Sequence, residues 1–229
     1  MRNNYSCMRH GQSKANVKNV IVSCIDNDSP DNFGLTDLGR QQALAAATGS
    51  GLPTDTVICS SDFARAEQTA RIVAAALGAG AVTITKALRE RCFGDWEGAA
   101  ADNYAVVWAA DKANPDHTDG HVESVSAVLS RATAFISTLE RRYSGRDILL
   151  VSHGDTLQIL QAGFLRMNPG GTGTSRISSP RKSAGSTWDY AAAPRHSFLA
   201  TSGPVMRSSS GKVAAMMPRD TRIPAAVMR

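Results

Sequence analysis

Met8-Arg9-His10-Gly11-Gln12-Ser13, arriving after the apolar run of residues 4–8, sets an imidazole and a guanidinium side by side where a strand ends. Asp147-Ile148-Leu149-Leu150-Val151-Ser152-His153-Gly154 repeats the arrangement late in the chain, again an apolar run that closes on His-Gly. If the two strands are neighbours, the two histidines converge on one anion. Outward from these runs the sequence alternates strand-like and helix-like segments. Strands are predicted over 4–8, 56–60, 82–85 and 148–152. Helices are predicted over 37–48, capped by Thr36 and ended by Gly49-Ser50-Gly51, over 63–77, closed by Gly78, near 103–113, over 122–143 and over 156–167. The 37–48 helix is expected to turn Leu38, Gln41, Ala45 and Thr48 to one face, and the 122–143 helix a stripe running from Val125 to Leu139. This order specifies an α/β fold of three layers, a largely parallel sheet with helices on both faces. In such sheets ligands gather at the carboxyl ends of the strands, and His10, Arg65 and His153 all fall just beyond such ends.

Of the 229 residues, 42% are hydrophobic, and a body of about 165 residues can bury one substantial core. No stretch approaches the roughly 20 uninterrupted apolar residues of a membrane helix. Met1-Arg2-Asn3-Asn4-Tyr5 lacks the apolar centre of a secretory signal, so the cytoplasm is the expected location. Cys7, Cys24, Cys59 and Cys92 form no CxxC and no Cys/His cluster, and are expected to be buried reduced thiols. The formal charge of +5 is unevenly held: residues 1–167 carry 16 Lys/Arg against 18 Asp/Glu, residues 168–229 carry 9 against 2. The basic excess thus belongs to the tail, and neither nucleic acid nor membrane is expected as a partner of the body. From Asn168 onward, Gly-, Ser-, Pro- and Arg-rich sequence replaces periodicity. Residues 1–167 are therefore expected to form the folded domain and 168–229 a basic, mostly disordered tail.

A neutral imidazole is a good nucleophile near pH 7 and needs no separate base. A phosphoryl group carries up to two negative charges, so fixed cations must surround any nucleophile that approaches it. Arg9 adjoins His10, and Arg65, in Ser60-Ser61-Asp62-Phe63-Ala64-Arg65-Ala66-Glu67-Gln68-Thr69-Ala70, opens the helix after the second strand in the same layer. Each such cation, at about 4 Å and an effective dielectric near 20, supplies on the order of 4 kcal/mol of gross attraction per unit charge. The leaving oxygen needs a proton donor, and Glu90, just after the third strand in Leu88-Arg89-Glu90-Arg91-Cys92-Phe93-Gly94, is the candidate. An anionic substrate opposes ionisation of a nearby carboxyl and helps it keep its proton. Pairing with Arg89 or Arg91, or transfer of the role to Glu97, are the alternatives for Glu90. His117, His121 and His196 fit no motif and are expected in solvent, and Trp96 and Trp108 are expected to pack.

Taken in order, Arg9-His10-Gly11, Ser61-x3-Arg65-x3-Thr69-Ala70, Glu90-Arg91-x-Phe93-Gly94 and Ser152-His153-Gly154 resemble the histidine phosphatase superfamily, the phosphoglycerate-mutase-like proteins. The likeness spans residues 5 to about 167 and rests on four separated motifs. It implies that His10 becomes a phosphohistidine, that Arg9, Arg65 and His153 bind the phosphoryl group, and that Glu90 acts as acid and then as base for water. It also implies a phosphate contact from Asn16, in Arg9-His10-Gly11-x-Ser13-x-x-Asn16, sets the motif residues Arg91 and Gly154 among the substrate contacts, and requires no metal or other cofactor. Cofactor-dependent mutases of the family carry a long insertion between the acid segment and the second histidine. Here Glu90 and His153 are 63 residues apart, much of it the long predicted helix, which favours hydrolysis of a small phosphorylated metabolite over a mutase reaction. The specificity segment is expected within 95–121. A catalytically dead phosphate-binding module is the reading from another class, opposed by the retained histidines, arginines and acid. Family members continue past the last helix with edge strands beside the first strand. Nothing in 168–229 reads as a strand, so these C-terminal edge strands are expected to be missing. A natural basic extension suited to an acidic partner and an out-of-frame translation both account for such a tail.

Overall fold

The computed structural model describes residues 1–24, 30–167 and 214–215. β1 (Asn4–Arg9) and β4 (Asp147–Ser152) are buried on both faces from Tyr5 to Met8 and from Ile148 to Ser152, the pattern of parallel strands covered on two sides. They pair in parallel, Asn4 opposite Asp147 and Arg9 opposite Ser152, so the next residues in register are His10 and His153. The His10 amide donates to the Ser152 carbonyl (3.0 Å), which carries the ladder one step past the strand ends. β2 (Val57–Ser61) flanks β4, and β3 (Thr83–Thr85) lies outside β2, both parallel to their neighbours. On the far side of β1 stands β5 (Ala214–Ala215), paired in parallel with Ser6 and Cys7, giving the order β3-β2-β4-β1-β5. The edge expected to be bare thus carries a two-residue strand. The rest of 168–229, and with it the expected disorder, the family's further edge strands and His196, lies outside the described residues.

The helices, in chain order, are α1 (Lys14–Lys18), α2 (Pro30–Phe33), α3 (Asp37–Ser50), α4 (Ala64–Leu77), α5 (Tyr104–Ala113), α6 (Val125–Arg142) and α7 (Gly154–Met167). Alternating strand side chains feed two apolar layers. Tyr5, Cys7, Cys59, Ile148 and Leu150 pack with α6 and α7, whereas Met8, Ile58, Leu149 and Val151 pack with α3 and α4. Helices therefore cover both faces of an all-parallel sheet, the three-layer α/β arrangement that the sequence predicts. α6 is capped by Ser124, whose hydroxyl accepts from the Ala127 amide, and it buries the predicted stripe. α4 stops at Gly78, in the left-handed conformation at φ +65°.

α3 departs from expectation. It turns Gly39, Ala43, Ala47 and Ser50 inward and leaves Leu38 and Leu44 about half exposed. The reason is close backbone approach: a Cβ on Gly39 would stand 2.1 Å from the Gln12 carbonyl oxygen, and one on Gly11 2.3 Å from the Gly39 carbonyl oxygen. Small residues, not large apolar ones, define this contact, and it seats the loop after His10. α1, five residues long, has no counterpart among the predicted helices because so short a segment shows no periodicity. No helix among the described residues is long and apolar enough to cross a membrane.

Candidate active site

The register of β1 against β4 brings the predicted histidines together, with ring centroids 5.2 Å apart. His10 Nδ1 lies 2.7 Å from the Gly11 carbonyl oxygen, and the Arg65 Nε–H donates to His10 Nε2 at 3.1 Å. A carbonyl can only accept and a guanidinium can only donate. His10 therefore carries its proton on Nδ1 and keeps the lone pair on Nε2. Burial, followed by the charges of Arg65 and Arg9, holds the His10 pKa well below the usual imidazole value, so the ring is neutral across the physiological range.

His153 is neutral for the same reasons, burial first and then Arg65. Its Nε2 sits 2.9 Å from Ser61 Oγ, a hydroxyl that also accepts from the Phe63 amide at 3.2 Å. Its Nδ1 is buried and has no hydrogen-bond partner among the described residues. Arg65 itself is buried, donates through Nη2 to the Val22 carbonyl (2.8 Å) and lies over the Phe63 ring at 4.7 Å, which in turn packs edge-on against His153. Thr69, one turn on in α4, accepts from the Gly11 amide (3.1 Å) and donates to the Arg65 carbonyl (2.8 Å), tying the histidine loop to the arginine's helix. Arg9 closes the cluster against the N-terminus of α7: a Cβ on Gly154 would meet the Arg9 guanidinium at 3.7 Å.

Glu90 is nearly buried, at 9% exposure, and does not rest in an exposed ion pair. Its Oε1 accepts from the Arg91 amide (3.0 Å), the Thr156 amide (3.3 Å) and more distantly the Thr156 hydroxyl (3.4 Å). The backbone of this segment is hung from the second histidine motif: Ser152 Oγ donates to the Leu88 carbonyl (2.7 Å) and Thr156 Oγ1 to the Arg89 carbonyl (2.7 Å). The alternatives for Glu90 have other partners. Arg89 forks onto Asp62 (2.6 to 3.1 Å), and Glu97 accepts from the Ser23 amide and hydroxyl and the Cys24 amide.

Among the expected substrate contacts, Arg91 is held within the fold, and Asn16 has its Oδ1 engaged in a helix cap. Arg91 has no exposed surface and binds Asp111 through both terminal nitrogens (2.6 and 2.7 Å) while Nε donates to the Glu123 carbonyl (2.6 Å). It is a structural anchor, since a guanidinium fixed on a buried carboxylate is not offered to substrate. Asn16 is exposed, and its Oδ1 accepts from the Ser13 amide (2.9 Å) in the capping box that opens α1. His117, expected in solvent, is buried with Nε2 3.0 Å from Asp111. His121 is exposed, beside Asp95 at 2.8 Å, as expected. Trp108 packs parallel to Tyr104 and donates to both oxygens of Asp155 (3.1 and 3.2 Å). Sequence reasoning missed Ser61, Tyr104, Asp111, Asp155 and Thr156. The spacing Tyr104, Trp108, Asp111 on a predicted helix and the Asp-Thr pair directly after His153-Gly154 were the available signals.

An all-parallel α/β sheet that sets two neutral imidazoles and buried guanidiniums at adjoining strand ends defines an enzyme built around a phosphoryl oxyanion. The chain belongs to the histidine phosphatase superfamily (branch 1), whose family model matches residues 6–181. It is 30% identical over 172 residues to a glucosyl-3-phosphoglycerate phosphatase of Mycobacterium tuberculosis, covering 70% of this chain and 74% of the relative. It is also 30% identical over 165 residues to a 2,3-bisphosphoglycerate-dependent phosphoglycerate mutase of Parvibaculum lavamentivorans, covering 67% and 75%. Among solved structures it resembles a mycobacterial glucosyl-3-phosphoglycerate phosphatase complexed with VO3, at TM-score 0.60 and 30% identity over 70% of this chain and 81% of that one. It is accordingly a phosphatase of this superfamily.

Proposed function

We propose that the protein hydrolyses a small phosphorylated metabolite through a covalent phosphate on His10 Nε2. The observation that carries this reading is the fixed tautomer, with a lone pair on Nε2 and a guanidinium 3.1 Å from it. In the first step Nε2 attacks phosphorus, the P–O ester bond breaks, and the Glu90 carboxyl protonates the departing oxygen. As the lone pair is used, the hydrogen bond from Arg65 Nε–H is redirected from Nε2 to a phosphoryl oxygen, so the cation follows the charge that develops. Arg9 and the orphaned His153 Nδ1 complete the clamp, and the Gly154 backbone lines its floor. In the second step the Glu90 carboxylate takes a proton from water, oxygen bonds to phosphorus, and the P–N bond breaks to restore neutral His10. The imidazole and guanidiniums supply nucleophile and charge without a metal. Residues 1–167 form the catalytic domain in this reading, and the site lies in the cytoplasm with no nucleic-acid or membrane partner.

The relatives named for glucosyl-3-phosphoglycerate support a small, anionic, carbohydrate-like phosphate ester as the substrate class. Hydrolysis of an aryl phosphate, measured with and without EDTA, tests the reading. Activity is expected to resist EDTA, to vanish in His10→Ala, and to leave an acid-labile phosphoryl adduct on the His10 peptide on rapid quenching. Equal rates for wild type and His10→Ala would make the protein a phosphate-binding module, and bisphosphate-primed phosphoglycerate interconversion exceeding hydrolysis would make it a mutase.

A further inference from the structure

Cys24 and Cys92, far apart in sequence, meet with their sulfurs 3.1 Å apart. A disulfide sets its sulfurs about 2.05 Å apart, so an approach of about 1 Å separates these thiols from a bond. The two segments are already held in register. Ser23 Oγ accepts from the Phe93 amide (2.9 Å) and donates to Glu97 Oε2 (2.7 Å), and the Ser23 and Cys24 amides donate to the same carboxylate oxygen at 2.8 and 3.2 Å. Both sulfurs belong to partly exposed residues, whereas Cys7 and Cys59 are sealed in the sheet, where burial pushes their thiols up to about 12. Burial, then the hydrogen bond with Cys92, raises the Cys24 thiol to about 12 as well.

We propose that Cys24 and Cys92 are an oxidation site whose reversible disulfide staples the chain at 21–24 to the acid segment at 90–93. With hydrogen peroxide as oxidant, one of the two sulfurs takes one peroxide oxygen as the O–O bond breaks, giving a sulfenic acid and one water. The other sulfur then attacks the oxidised one, the S–O bond breaks, and a second water leaves as S–S forms. Two thiol hydrogens and two electrons pass to the peroxide, and a dithiol reverses the bond. The staple closes over hydrogen bonds already made, and Glu90 is held independently from Thr156 and the Arg91 amide. Oxidation therefore stiffens this wall of the site and leaves its chemistry in place.

The test is to oxidise the full chain with stoichiometric hydrogen peroxide and count thiols. Two of the four are expected to disappear, with a mass lower by two hydrogens, a cross-link between the Cys24 and Cys92 peptides, and full reversal by dithiothreitol. The thermal midpoint is expected to rise by several degrees because the tie restricts the unfolded chain, and the hydrolysis rate to change less than about two-fold. Cys24→Ser and Cys92→Ser, folded and reduced, are expected to show neither the cross-link nor the rise. Survival of all thiols, oxygen addition to one cysteine without the cross-link, a cross-link between two chains or an unmoved midpoint overturns the staple. A tenfold loss of rate overturns its harmlessness to the acid segment. The thiol count, mass and midpoint stand whether or not the protein is a hydrolase.

Discussion

The two sides of the site are built on opposite principles. At the ends of β1 and β4 a few residues, His10, Arg65 and His153, are brought together by strand register and by motifs a few positions long. On the acid side, Glu90 is surrounded by a polar lattice whose members come from distant stretches: Arg91 on Asp111, His117 on Asp111, Trp108 on Asp155, and Asp155 3.6 Å from Arg91. The first side gathers cations around two neutral imidazoles. The second holds charges already compensated within the fold. Mutations on the two sides should therefore separate into losses of rate and losses of stability.

Arg91→Ala is the strongest way to sharpen that contrast. It leaves the Asp111 carboxylate buried without its fork, and breaking a buried pair from one side costs about 3–5 kcal/mol. Urea denaturation should show this loss directly. Arg91→Met combined with Asp111→Leu should recover part of it, since the stranded Asp111 charge is removed while His117 and Asp155 lose a partner. A variant at Arg91 that keeps full stability and loses substrate affinity would return this residue to the substrate contacts.

Arg65→Ala should behave in the opposite way. Removing one donor aimed at developing charge costs roughly 10²–10³ in rate, about 2.7–4 kcal/mol of barrier. The loss should fall on kcat, with a midpoint of unfolding that moves far less than in Arg91→Ala. The bonds described for Arg65 go to neutral acceptors, His10 Nε2 and the Val22 carbonyl, whereas those of Arg91 go to a buried carboxylate. Equal loss of stability in the two variants would abolish the distinction between the sides.

The difference also explains what the sequence could be made to tell. The strand-end histidines, the arginine one helix later and the acid after β3 were legible because each is tied to a local element whose apolar pattern shows where it ends. α6 was legible because its stripe is long and strongly amphipathic. α3 was half legible: Thr36 and the glycines gave its ends, yet its inward face is made of Gly39 and Ala43, which carry no hydrophobic signal. Arg91 was misread because motif membership does not say whether a guanidinium faces ligand or a carboxylate, and Asp111 arrives from the next helix. Cys24 and Cys92 were read singly because spacing along the chain holds no record of a contact that only folding creates.

Asp155 gives the smallest effect, one of slope with pH. Burial first, and then the Glu90 charge, raise this carboxyl to about 7, against the opposing pull of Arg91 and the Trp108 donor. In the unfolded chain the same group titrates near 3.9. Between those values the folded protein binds the extra proton, so its contribution to stability is complete below about pH 4 and is lost as pH rises through 7. His10 and His153 act in the other sense: their folded pKa values lie below the unfolded value, so they cost stability as pH falls through the range below about 6.5. Wild type should consequently show a shallow, compensated profile. Asp155→Asn keeps an acceptor for Trp108, removes the carboxyl's titration and leaves the histidines. Relative to wild type it should gain stability between pH 5 and pH 8, by at most about 2–3 kcal/mol, with the gain read as a difference in thermal midpoint at each pH. A constant offset across that range would mean that Asp155 is ionised throughout. The acid side would then hold an ionised Asp155 beside Glu90, with Arg91 as its nearest cation.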